Sequence, residues 1–157
     1  MRLREIFEIV ESPEFPGNVT DWRVCNGNGF TIAHAAAWRG KLPEGFNQWD
    51  LSDEAGWTVA HDAATHRCLP KGFDQWELAD KSGWTVAHQA AYCGSLPDDF
   101  DKWEIATDDG WTVAHEAAYY GRLPDGFNKW KLADKNGITV AKAAAMNDLL
   151  PEGVQVD

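Results

Sequence analysis

Apolar and polar positions along this chain repeat with a period of 27 residues. The clearest copy is Gly110-Trp111-Thr112-Val113-Ala114-His115-Glu116-Ala117-Ala118, and its counterparts begin at Gly29, Gly56, Gly83 and Gly137. Thr31, Thr58, Thr85 and Thr112 each open a T-x-A-H-x-A-A stretch, while Lys142 replaces the histidine in the copy that opens at Thr139. Self-similarity at a fixed period of this size marks a repeat array, in which each unit buries its apolar face against its neighbours.

Three elements are predicted per repeat. A turn comes first, as in Asp53-Glu54-Ala55-Gly56, with parallels at 80–83 and 134–137 and with Thr107 in place of the aspartate at 107–110. Aspartate caps such a turn with its side chain, and glycine tolerates positive φ. A helix of about ten residues follows. Its threonine is the N-cap, and the histidine three residues on reaches back as in a capping box. Ala60, Ala63 and Ala64 put small side chains on one face, and Gly94 and Gly121 end two of the helices. So short a helix depends on stacking for its stability. The third element is Leu42-Pro43-Glu44-Gly45-Phe46-Asn47-Gln48-Trp49-Asp50-Leu51, whose Phe/Trp pair recurs as Phe73/Trp76, Phe100/Trp103 and Phe127/Trp130. Its spacing predicts a short helical or 3₁₀ turn whose aromatics form a core ladder.

At the N-terminus, Leu3, Ile6, Phe7 and Val10 fall at helical spacing, with acids between them. This segment reads as an amphipathic helix and terminal cap rather than a signal peptide, stopped by Pro13 and Pro16. The expected organisation is one repeat domain over 1–157. Residues 1–28 form the N-terminal cap and a half-repeat; 29–157 form five repeats, the last truncated after Pro151 and Val154.

The motif D-x-x-G-x-T-x-x-H-x-A-A-x-x-G-x-L resembles the first half of an ankyrin repeat, whose signature is T-P-L-H-x-A-A. Here the signature reads T-V-A-H or T-I-A-H without the proline. The ankyrin unit is about 33 residues, and the shortening falls in its second helix. The resemblance covers the first half of five units, from about Gly29 to Pro151. It implies an all-α, ankyrin-like helical solenoid with short turns between units. It also implies protein binding without catalysis, through variable turn tips and first-helix residues.

Charge narrows the choice of partner. The chain carries 25 acidic and 14 basic residues, a formal net charge of −11. That excludes direct nucleic-acid binding, which needs a basic footprint, and points to a basic protein partner. No apolar run reaches membrane-span length. Cys25, Cys68 and Cys93 are irregularly spaced and suggest a reducing, cytoplasmic setting.

No catalytic residue, metal ligand or cofactor site is assigned. The histidine column His34, His61, His88 and His115 would stand at the roughly 10 Å spacing of packed helices, too wide for zinc ligands at about 2 Å. It reads as structural, bonding turn backbone within and between repeats. The residue after each histidine varies: Ala35, Asp62, Gln89, Glu116. Trp57, Trp84 and Trp111 follow the turn glycine and have two readings, a partner-facing row or packing against the next turn. Trp38, Tyr92 and Tyr119 flank them, with Arg39, His66 and Tyr120 in the next column. Aromatics and arginine are the residues most enriched in binding hot spots. Asp98, Asp99, Asp101, Asp108 and Asp109 belong to an acid-rich edge. It suits a basic partner or, in the manner of phage-encoded inhibitors, imitates nucleic-acid phosphates to block a nuclease or another nucleic-acid-binding protein. A rival of another class is a metal-dependent enzyme built on His66, Cys68 and Cys93.

Overall fold

Each repeat helix begins on a threonine, and the threonine determines where its first polar groups go. The computed structural model describes residues 1–156. Its helices are α1 (Leu3–Glu11), α2 (Ile32–Trp38), α3 (Val59–Thr65), α4 (Val86–Cys93), α5 (Val113–Tyr119) and α6 (Val140–Ala145). Extended pairing among the described residues is confined to isolated antiparallel bridges such as Cys25 with Thr31 and Ala133 with Thr139. The protein is all-α and divides into two compact units, Met1–Lys81 with α1 to α3 and Ser82–Asp157 with α4 to α6. Successive helices pack in each: α1 on α2 and α2 on α3 in the first, α4 on α5 and α5 on α6 in the second.

The opening N–H groups of a helix lack intrahelical partners, and in α3 each of the first three has one nearby. Val59 N–H donates to Leu51 O at 2.9 Å and Ala60 N–H to Trp49 O at 3.2 Å. His61 N–H donates to Thr58 Oγ1 at 3.4 Å. Helices α5 and α6 repeat the scheme, with Ile105 and Trp103, then Leu132 and Trp130, as the accepting carbonyls. The aromatic segment and the helix are therefore one hydrogen-bonded piece.

That segment is not the helical or 3₁₀ turn that its spacing predicts. Phe46 N–H closes onto Pro43 O at 3.1 Å, and Leu51 N–H onto Gln48 O at 3.3 Å, giving two consecutive β-turns. Gly45, third in the first turn, has φ +77°, which no helix contains. The aromatic rings do form a ladder within each unit. Trp22–Phe46, Phe46–Trp49, Trp49–Phe73 and Phe73–Trp76 meet edge to face at 5.4, 5.1, 5.6 and 5.0 Å. Phe100–Trp103, Trp103–Phe127 and Phe127–Trp130 do so at 5.0, 5.7 and 5.2 Å. Such pairs add about 0.5–1.5 kcal/mol each beyond their area. Above the ladder, the helices bury alanines: Ala60, Ala63 and Ala64 are fully enclosed, as are Ala87, Ala90 and Ala91. In α1, Ile6 and Val10 are buried as expected, whereas Leu3 is 48% exposed.

The helices are shorter than the ten residues expected and close with a left-handed residue. The column is Gly40, Arg67, Gly94, Gly121 and Asp148, with φ between 57° and 68°. The next residue's N–H then reaches back into the last turn, as Ser95 N–H does to Ala90 O at 2.8 Å.

At the turn tips, Asp53 Oδ1 accepts from the N–H groups of Ala55 and Trp57, both at 2.9 Å. Asp134 does the same for Asn136 and Ile138. Neighbouring tips join through backbone: Glu54 N–H to Asn28 O, Lys81 N–H to Ala55 O and Lys135 N–H to Asp109 O, each 3.0 Å. Gly56 sits at one such join with φ +82°, and a Cβ there would stand 2.8 Å from Lys81 N. Gly45 has a similar φ of +77° with nothing within 4 Å. Both alanine substitutions carry the left-handed penalty of about 1 kcal/mol, and Gly56→Ala adds a backbone clash. Urea denaturation should show Gly45→Ala losing about 1 kcal/mol and Gly56→Ala at least twice that.

Candidate functional site

The histidine column closes a polar circuit. His34, His61, His88 and His115 are fully buried. In each, Nδ1 lies 2.7 Å from the N-cap threonine hydroxyl. Nε2 meets the carbonyl of the following turn: Trp57 O for His34 at 3.0 Å, Trp111 O for His88 at 2.9 Å, Ile138 O for His115 at 2.8 Å. A carbonyl only accepts, so Nε2 bears the proton in these three rings. Nδ1 then accepts from the threonine hydroxyl, which itself accepts the histidine backbone N–H. Burial holds all three rings below the usual imidazole range, against the raising effect of the carbonyl bond. Lys142, which lacks this geometry, directs Nζ to Gly137 O of its own repeat at 3.4 Å.

Trp57, Trp84 and Trp111 are half-buried. Each indole lies over the histidine of its own helix, at centroid distances of 4.5, 5.0 and 4.9 Å. Each indole N–H donates to the side chain five residues on: Asp62 at 2.9 Å, Gln89 at 3.1 Å, Glu116 at 2.8 Å. Where the turn residue has no N–H to place, as at Phe30 and Ile138, the partner position holds Ala35 and Ala143. Sequence reasoning recorded this variation after the histidine without its cause. The signal was the pairing of tryptophan with an acceptor in the same repeat.

Asp62 carries the most loaded of these contacts. It is 4% exposed, and Oδ1 accepts from Trp38 Nε1 at 3.0 Å as well as from Trp57. Oδ2 is buried without a partner. Burial pushes its pKa up to about 7, against the two indole bonds. Burial also raises Glu116, opposed by the Trp111 N–H and the Arg122 charge.

Exposed aromatic groups gather at the C-terminal ends of the helices. In the first unit, Trp38 is 44% exposed and its ring meets His66 at 5.1 Å and Phe7 at 5.9 Å. The Arg39 guanidinium lies 4.7 Å over Phe7 and pairs with Glu11. In the second unit, Tyr92 meets Tyr120 edge to face at 5.0 Å, and Tyr119 meets Tyr120 at 5.1 Å. Arg122 lies 5.4 Å over Tyr120. The structure thus brings the sequence candidates into two clusters, Trp38 with Arg39 and His66, and Tyr92 with Tyr119 and Tyr120. Phe7 and Arg122 join them and were not among the sequence candidates. Asp98, Asp99, Asp101, Asp108 and Asp109 are all exposed in the second unit.

The cysteines have local duties. Cys68 Sγ–H donates to Ala37 O, 31 residues back, at 3.2 Å. Lys41 Nζ reaches Val10 O and Arg122 Nη1 reaches Ala91 O across the same separation. Cys68 therefore stands in a column of donors that satisfy helix-end carbonyls, and burial raises its thiol pKa. Cys93 Sγ accepts from Gln89 Nε2 at 3.4 Å. His66 and Cys68 lie in the first unit and Cys93 in the second. Among the described residues no group of three or more His, Cys, Asp or Glu is placed to hold a metal ion, and no helix is long and apolar enough to cross a membrane.

No protein-family model matches the chain, and no curated protein matches it significantly.

Asp62 makes stability depend on pH. Its pKa is raised from 3.8 to about 7, so its contribution is full at low pH and lost as pH rises through about 7. The lowered histidines act oppositely, losing stability as pH falls below the ordinary 6.5. They are unchanged in Asp62→Asn, which keeps an acceptor for both indoles. Chemical denaturation should find Asp62→Asn more stable than wild type by up to a few kcal/mol near pH 8. The difference should shrink as pH falls from 7 and close only below the ordinary aspartate value of 3.8.

Proposed function

We propose that the protein is a non-catalytic, ankyrin-like repeat module that binds a basic protein partner. The observation that carries this reading is the placement of large aromatic side chains. Trp38, Tyr92 and Tyr120 stand 44%, 45% and 39% exposed at helix ends, on a frame whose histidines, threonines and turn aspartates are engaged internally. Arg39 and Arg122, stacked on Phe7 and Tyr120, add the other residue type that dominates binding hot spots. The net charge of −11 supplies long-range attraction for a basic surface. The half-buried row of Trp57, Trp84 and Trp111 contributes its outer edges, its N–H groups being committed to Asp62, Gln89 and Glu116.

A second reading draws on the exposed carboxylates of Asp98, Asp99, Asp101, Asp108 and Asp109. These imitate a phosphate backbone, and the protein then blocks a nuclease or another nucleic-acid-binding protein.

The test is association kinetics with the partner recovered on the immobilised protein. The association rate should fall about tenfold or more from low to high salt. Asp98→Lys with Asp101→Lys should slow it several-fold further, and Tyr92→Ala with Tyr120→Ala should act mainly on dissociation. A salt-independent association rate would refute the electrostatic part of the reading. Release of the partner by duplex DNA would select the second.

A further inference from the structure

The first unit contains a cleft of about 230 Å³ lined by Leu3, Phe7, Asn26, Asn28, Phe30, Trp38 and Asp53. Pockets for drug-sized ligands run to about 300–1,000 Å³, so this space matches a single long side chain better than a metabolite. Its walls come from three elements. Helix α1 gives Leu3 and Phe7, the end of α2 gives Trp38, and the turn tips give Phe30, two asparagines and Asp53.

The lining combines aromatic faces with a carboxylate. Phe7 meets Phe30 at 5.9 Å and Trp38 at 5.9 Å, so the three rings form one contiguous wall. Asp53 spends Oδ1 on the Ala55 and Trp57 N–H groups, and among the described residues none bonds its Oδ2. Burial dominates the pKa shifts of His34, lowered, and Asp62, raised, and the Asp53 charge acts on both as a smaller upward pull. None of the seven lining residues is basic. Arg39, over the Phe7 ring, pairs with Glu11, which it shares with Lys41.

We propose that this cleft receives an arginine side chain of the partner, its methylenes against Leu3 and its guanidinium between the aromatic wall and Asp53. Aromatic faces and a carboxylate together suit a planar, weakly hydrated cation, and the chain's own Arg39 stacked on Phe7 shows that chemistry at the same wall. A neutral apolar side chain would leave the Asp53 carboxylate beside it without a counter-charge. This inference rests on the basic-partner reading and names one contact within it.

The test uses the intact ¹⁵N-labelled protein titrated with acetyl-Gly-Arg-Gly-amide and, separately, with its citrulline analogue, which keeps the shape and lacks the charge. The arginine peptide should cause saturable NMR shifts at the Asn26 and Asn28 amides and at Phe30, with the citrulline peptide at least fivefold weaker. Leu3→Lys puts a like charge at the rim from an exposed position and should abolish the shifts. Met146→Lys makes the same charge change at an exposed site of the second unit and should leave them. Equal binding of the two peptides, shifts spread over the acidic edge, or no shifts at the cleft would each overturn the proposal. Loss of the cleft shifts alongside salt-dependent partner association would sink this contact while the broader reading stands.

Discussion

The structure depends on a hydrogen bond between a buried imidazole and a backbone carbonyl of the next repeat. A helix of six to eight residues is marginal alone, and its alanine face offers little area per residue. The threonine–histidine pair ends the helix without an orphan group, and Nε2 then ties it to the following turn. Because Nε2 must donate to a carbonyl and Nδ1 accepts from the threonine, the ring is held in one tautomer, and burial disfavours its protonation. Replacing either partner leaves a buried polar group unpaired, which costs about 1–3 kcal/mol.

That constraint decides which polar groups are left uncommitted. Polar groups at the helix starts and turn tips are absorbed by the frame, and so are the indole N–H groups of Trp57, Trp84 and Trp111. The helix C-terminal ends are less tightly specified. Their column of left-handed residues admits Arg67 and Asp148 beside glycine, and their carbonyls take donors as different as Lys41, Cys68 and Arg122. Sequence can vary there at small cost, and there the exposed aromatics stand. Most of the acidic residues lie on exposed edges, and Asp62 and Glu116 are the buried ones.

Much of this was legible in the sequence because repetition averages out local ambiguity. The threonine cap, the histidine's double bonding, the aspartate turn and the glycine at the end of α4 follow from residue chemistry at fixed spacing. The aromatic segment was misread because Pro43 at a first turn position suits both a helix and a β-turn, and Gly45, third in the turn, was the deciding residue. The link between Trp57 and Asp62 was hidden because it depends on which way an indole points over a histidine. Cys68 entered the sequence reading only through a rival metal site, and its place in the donor column with Lys41 and Arg122 was hidden because 31-residue contacts are not apparent from a 27-residue register. Leu3, placed on the apolar face by periodicity, is instead half exposed and lines a surface cleft.

The most direct test of the central constraint is a long-range ¹H–¹⁵N correlation spectrum of the histidine rings recorded over a pH titration. The account predicts that His34, His88 and His115 show the Nε2–H tautomer and titrate below 6.5, the ordinary imidazole value. Nδ1–H signals, or protonation of these rings near pH 6.5 in the folded protein, would contradict it.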